Sequence, residues 1–171
     1  DTNNRQQIYY EVNISCPNTD EGQSMIQNPS LIEGLIREVR DRTSRFVSVK
    51  LSPDQSNEDV VGIVEMLRAY PKMMVTVGNT QYKTCQEVGL SGTAISRGGG
   101  GLSGPPLYER TRELVRLLSP IKVPIIATGG IQSARQVSEL RDEGATVIGM
   151  ATALIQDPYC IPRINHQLRS N

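Results

Sequence analysis

The chain reads as an α/β protein built on a parallel sheet, and three regularities carry that reading. Short β-branched runs alternate with segments of helical periodicity. The runs are apolar nearly throughout, as expected of strands covered on both faces. Each run ends in a cluster of Gly, Asn, Ser or Thr, on the side of an α/β sheet where functional loops gather.

The first strand is Ile8–Ile14, followed by Ser15-Cys16-Pro17, where proline's missing N–H stops the ladder. Asn28-Pro29-Ser30 opens a helix over Leu31–Arg40, with Asn28 or Ser30 as cap and Leu31, Leu35 and Val39 as the apolar stripe. Arg45–Leu51 is the second strand. Asn57–Ala69 follows as a helix whose buried face is Val60, Ile63, Val64 and Leu67. Met73–Val77 is the third strand, ending at Gly78-Asn79-Thr80. Gln81–Gly104 is a long excursion with no clear element of its own. Pro106–Leu118 is a helix with Leu107, Leu114, Val115 and Leu118 inward, and its Arg110–Arg116 charges form a solvated face. Val123–Ala127 is the fourth strand, Ala134–Glu143 a helix capped by Gly144, and Thr146–Met150 the fifth strand. The tail, Pro158–Leu168, is helical and carries His166, a surface residue. Five βα units make a (β/α)8 barrel short by about three, since the complete fold has eight.

With 171 residues the chain can bury one core, and 18 basic against 18 acidic side chains give no reason to expect nucleic acid or an anionic membrane as partner. Three cysteines without CxxC spacing and a single histidine argue against a disulfide framework and a zinc site, and for a reducing compartment. No apolar run approaches the ~18 residues of a membrane span. Asp1–Gln7 shows no signal or transit pattern, and the absence of an initiator Met leads us to expect a longer natural protein.

The polar strand ends hold the candidate site. Around Cys16 stand Asn13, Asn18 and Thr19, amides and a hydroxyl about a thiol that could act as base or nucleophile. A free cysteine is also a small buried hydrophobe in many folds, but these neighbours are polar. Cys85 and Cys160 lack such surroundings. Lys50, at a strand tip, reads either as a surface lysine or as a fixed cation beside an electron-rich ring. Asn79 and Thr80 suit a tight turn or recognition of a polar planar molecule. Gly98–Gly104 is a flexible loop as readily as an anion cradle. Joined in order by Thr128-Gly129-Gly130 and Ala151-Thr152, it makes a phosphate site as good a reading as a set of flexible loops.

Taken together these segments resemble the dihydroorotate dehydrogenases, FMN enzymes of pyrimidine biosynthesis built on a TIM barrel. Asn13-Ile-Ser-Cys-Pro-Asn-Thr19 is similar to that family's catalytic loop, and Val49-Lys50-Leu51-Ser52-Pro53-Asp54 to its flavin-lysine strand. Gly78-Asn79-Thr80 resembles its Thr-Asn-Thr segment, with Gly for the first Thr. Gly100–Leu107, Ile125–Ile131 and Ala151–Leu154 resemble its glycine loop and its two phosphate-binding strand ends.

The resemblance implies oxidation of dihydroorotate to orotate, with Cys16 taking a proton from C5 while a hydride leaves C6 for FMN. It implies substrate binding by Asn13, Asn18, Asn79 and Thr80, a flavin contact from Lys50, and FMN phosphate binding by Gly101, Gly129, Gly130, Ala151 and Thr152. A cysteine base resembles the soluble branch of the family, whereas Gly-Gly-Leu-Ser-Gly resembles the quinone-using branch. Fumarate, NAD and quinone all stay open as electron acceptor, and the compartment is the cytoplasm or the mitochondrion. The first strand matches the family's fourth, so the isolated chain is expected to be inactive, with a homodimer or a partner chain completing the barrel. Two alternatives stand beside this: a non-catalytic remnant serving as a structural or assembly subunit, and a related FMN barrel such as dihydropyrimidine dehydrogenase.

Overall fold

The computed structural model describes residues 9–14 and 28–170. Its strands are β1 (Tyr10–Asn13), β2 (Val47–Leu51), β3 (Met73–Val77), β4 (Gln81–Thr84), β5 (Gly99–Leu102), β6 (Ile125–Thr128) and β7 (Val147–Gly149). Its α-helices are α1 (Pro29–Arg42), α2 (Asn57–Leu67), α3 (Tyr108–Leu118), α4 (Ala134–Asp142), α5 (Thr152–Gln156) and α6 (Cys160–Ser170). Short 3-10 turns at Pro105–Leu107 and Ser119–Ile121 flank α3.

Five strands form one parallel sheet in the order β1-β2-β3-β6-β7. The registers Asn13↔Lys50, Lys50↔Thr76 and Thr128↔Gly149 align the strands' C-terminal ends along one rim. This is the expected partial (β/α)8 barrel, a little over half a turn of it.

Burial follows from the strands' two faces. Val47, Val49 and Leu51 of β2 and Val75 and Val77 of β3 are wholly buried and form one core with Ile32, Ile36, Val60, Leu67, Leu114 and Leu118 of the helices. The opposite face is polar: Ser48 and Thr76 are buried and hydrogen-bonded to each other at 2.7 Å. Helix α2 starts where Ser56 accepts from the Asp59 N–H at 3.1 Å and donates to the Asp59 carboxylate at 2.6 Å, a reciprocal cap. Helix α4 ends as expected of Gly144, whose N–H bonds the Arg141 carbonyl while that of Ala145 reaches Leu140.

Four expectations need correction. Helix α1 buries Ile32 and Ile36, while Leu31 is 51% exposed and Leu35 and Val39 only partly covered. Two adjoining stripes share the same four-residue spacing, and periodicity cannot choose between them. Its N-cap position is Asn28, without a side-chain cap bond; Pro29 starts the helix and Ser30 lies inside it. The Arg110–Arg116 face is not merely solvated. Arg110 donates to the Pro53 and Gln55 carbonyls and to Asn57, tying α3 to the loop after β2. Arg112 and Arg116 both clasp Glu143, which their hydrogen bonds hold below the usual carboxylate range.

The fourth correction is the excursion. It contains β4 and β5, an antiparallel pair. Gly99-Gly100-Gly101 carries no strand-forming side chain. It pairs because bare backbone can approach closely: a Cβ at Gly99 would sit 2.6 Å from the Lys83 carbonyl oxygen.

The turn after β4 is closed by Glu87, which accepts from the Thr84 N–H and hydroxyl, both at 2.8 Å. The Thr84 backbone bond, then its side chain, then Lys83 lower this carboxyl's pKa to about 2. A depressed folded-state pKa stabilises above the unfolded value and is lost as pH falls through the folded one. The turn is therefore expected to hold at neutral pH and loosen between pH ~4.3, the unperturbed glutamate value, and about 2. Carbon-13 titration of the Glu87 carboxyl, followed alongside the Thr84 amide, checks this. An ordinary midpoint near pH ~4.3 would remove Glu87 as the clasp.

Candidate active site at the strand ends

The C-terminal rim carries a cavity of about 160 Å³. Lys50 from the end of β2, Asn79 and Thr80 after β3, Gly129 and Gly130 after β6, and Ala151 and Thr152 after β7 all line it. Seven of the residues singled out from the sequence thus meet around one cavity. Cys16 and Asn18 lie outside the described residues, as does Thr19. Asn13 ends β1 as an exposed residue whose ladder partner is Lys50.

Gly101 sits elsewhere. It lies in β5, where a Cβ would meet the Thr80 hydroxyl at 2.4 Å, so it faces Thr80 and is not among the residues lining the cavity. The glycine loop reaches the cavity through Ser103 and Gly104 instead, and Gly78, Thr128, Gln132 and Met150 complete much of the wall.

Lys50 is held from behind. Its ammonium lies 3.7 Å from one oxygen of Glu11, whose other oxygen accepts from the Thr76 hydroxyl at 2.8 Å. Thr76 has a single proton, given to Glu11, so the bond to Ser48 carries the Ser48 proton toward Thr76. This chain of groups crosses β2, β3 and β1 on the inner face. Sequence reading missed Glu11, Ser48 and Thr76, although polar residues at every second position of otherwise aliphatic strands were the available signal. The Asn79 side-chain oxygen accepts from the adjacent Thr80 N–H at 2.9 Å, in the turn after β3.

What this arrangement can do is bind an elongated anion. One cation stands at one side, and glycine backbone from two strand ends stands at the other, where amide N–H groups can approach a phosphate without side-chain obstruction. The Thr152 hydroxyl adds a donor. Flavin mononucleotide needs both, a phosphate cradle and a cation for its ring, so the residues present fit it.

A wider depression opens at the opposite rim, lined by Arg37, Arg40, Arg42 and Lys72 among others. Its cations are committed: Arg37 to Glu33, Arg42 to Glu38, Arg40 to the Pro71 and Arg45 carbonyls, and Lys72 to that of Ser44. Among the described residues no group of three His, Cys, Asp or Glu could hold a metal ion, and no helix is long and apolar enough to cross a membrane.

A family model described as dihydroorotate dehydrogenase matches residues 2–171. A dihydroorotate dehydrogenase (quinone) from Crocosphaera subtropica is 31% identical over 173 aligned positions, covering 94% of this chain and 45% of that one. A dihydroorotate dehydrogenase B (NAD(+)) catalytic subunit from Anoxybacillus flavithermus is 33% identical, covering 92% of this chain and 51% of the relative. The chain thus spans about half the length of the curated relatives it matches. Among solved structures, DHODH from Eimeria tenella in complex with ferulenol superposes with a TM-score of 0.79 at 21% identity, over 94% of this chain and 49% of that one, a likeness of fold.

Proposed function

The chain belongs to the dihydroorotate dehydrogenase family, and from that premise we propose that it forms the FMN- and substrate-binding half of a barrel that oxidises dihydroorotate to orotate. The observation that carries the proposal is the convergence of Lys50, Asn79–Thr80, Gly129–Gly130 and Ala151–Thr152 on one cavity. Bound FMN supplies the two-electron acceptor for a hydride leaving the substrate.

The chain's own groups do the rest. Cys16 takes the proton from C5 of dihydroorotate. Asn13, Asn18, Asn79 and Thr80 bind the carboxylate and ring amides, orienting the ring for that removal. Lys50, steadied by Glu11, offers its ammonium to the flavin's pyrimidine edge. Gly129, Gly130, Ala151 and Thr152 hold the phosphate. Gly101 serves this loop indirectly, giving Thr80 room to reach the cavity rim.

A second reading is favoured by the sheet's edges. Among the described residues β1 and β7 have one strand neighbour each, and Tyr10 and Val147 on them are 49% and 47% exposed. Such edges call for a covering chain. On this reading the protein is a non-catalytic subunit that keeps the family's sequence.

One experiment separates the two. The 171-residue chain is purified alone and also joined to three further βα units taken from a relative. The joined protein is expected to carry near-stoichiometric flavin that bleaches on adding dihydroorotate. The chain alone is expected to show weak or no flavin binding and no turnover, because transition-state stabilisation needs groups preorganised on several strands. A joined protein without flavin decides for the subunit. A chain that oxidises dihydroorotate alone overturns the need for completion.

A further inference from the structure

We propose that Thr111 of α3 is the positioning residue of the turn Thr128–Gly130, an inference that rests on the phosphate role given to that turn above. Thr111 is 2% exposed, and its hydroxyl lies 3.2 Å from the Thr128 carbonyl oxygen and 3.0 Å from that of Gly129. A buried threonine in a helix ordinarily returns its proton to a carbonyl of its own preceding turn. Here the acceptors are the carbonyls of the last residue of β6 and the first residue after it.

One hydroxyl proton, shared between these two carbonyls, thereby bears on two successive peptide planes. Among the described residues no peptide is cis, so in each plane the N–H points opposite to the C=O. With the carbonyls of Thr128 and Gly129 drawn onto α3, the N–H groups of Gly129 and Gly130 turn away from α3, and both glycines line the cavity. The backbone has φ +117° at Gly129 and +77° at Gly130, values open to glycine. A Cβ on Gly129 would stand 2.8 Å from the Thr111 hydroxyl, and one on Gly130 2.4 Å from the Tyr108 nitrogen. The turn is pressed onto the helix, and Thr111 is the group that sets its rotation.

The test uses the isotopically labelled 171-residue chain, with inorganic phosphate as probe and the Thr111→Val and Thr111→Ser variants. Valine keeps the shape and loses the proton; serine keeps the proton. Residual dipolar couplings of the Gly129 and Gly130 amides are expected to change in T111V and to stay at wild-type values in T111S, with those of β2 unmoved in both. Phosphate is expected to shift these two amides in wild type and T111S with affinities within about twofold, and to bind T111V about tenfold more weakly, the scale of one net hydrogen bond. Wild-type couplings and affinity in T111V would overturn the proposal. If the wild-type amides ignore phosphate, the phosphate role fails on its own, and the T111V couplings still decide whether Thr111 sets the turn. Should T111V not fold, Thr111→Cys takes its place. A thiol is a weaker donor, so an intermediate affinity supports the assignment and an unchanged one overturns it.

Discussion

Cys16→Ala in the completed barrel is expected to slow dihydroorotate oxidation by about 10²–10⁴-fold, the usual worth of a positioned general base, with flavin still bound. The two effects separate because different residues carry them. The groups assigned to flavin stand at the ends of β2, β6 and β7, while Cys16 follows β1. Flavin absorbance of the purified variant should therefore match the parent, and only its bleaching by dihydroorotate should slow. Cys16→Ser should recover part of the rate, since a hydroxyl in the same place can still act as an acid–base group. A hydroxyl gives up its proton far less readily than a thiol, so the rising limb of the pH–rate profile should move to higher pH in the serine variant. Unchanged turnover in Cys16→Ala would take the base role from Cys16 and leave the cavity to some other acid–base group.

The parallel sheet was legible in the sequence because its strands are short runs rich in aliphatic and β-branched residues between segments of helical periodicity, as in Val47–Leu51 and Met73–Val77. The strand ends were legible for a related reason. A backbone N–H that is to meet an anion needs glycine beside it, and glycine is visible in a sequence, as at Gly129 and Gly130. Contacts that depend on distance were not legible. Arg110 looks like any exposed helix arginine until the loop after β2 is seen beneath it. Thr111 looks like an indifferent position between two arginines. The Gly99–Leu102 strand contradicts its own propensities and exists only through what packs on it. Glu11, Ser48 and Thr76 fall between. Their alternation was in the sequence, but an inner face lined with polar groups is the reverse of the branched apolar filling a barrel interior ordinarily has.

Gly78→Ala is expected to have the largest effect on folding. Gly78 has φ +118°, outside the range of L side chains, and a Cβ built there would lie 1.5 Å from the Thr128 carbonyl oxygen and 2.6 Å from its carbon. Those are backbone atoms of the neighbouring strand, so no rotamer change relieves the clash. The ends of β3 and β6 would have to part just beyond the Val77↔Ala127 pairing. The strained backbone costs about 1–3 kcal/mol and the forced separation about 1–3 more, against a total stability of ~5–15 kcal/mol for an ordinary domain. Gly62→Ala is the control. That glycine sits exposed in α2, where an added Cβ would meet nothing within 4 Å, and alanine there should gain about 0.5–1 kcal/mol. Urea denaturation of both variants gives the comparison. A G78A midpoint equal to wild type would mean that β3 and β6 do not approach so closely. The same geometry bears on the one position where the Gly78-Asn79-Thr80 segment departs from the family's Thr-Asn-Thr. With β3 and β6 this close, a threonine at 78 cannot be accommodated, and Gly78→Thr is expected to destabilise more than alanine. Gly78 also lines the cavity, so a sheet that opened to admit the larger residue would widen the cavity between Asn79 and Gly129 and weaken the substrate and phosphate contacts proposed for those residues.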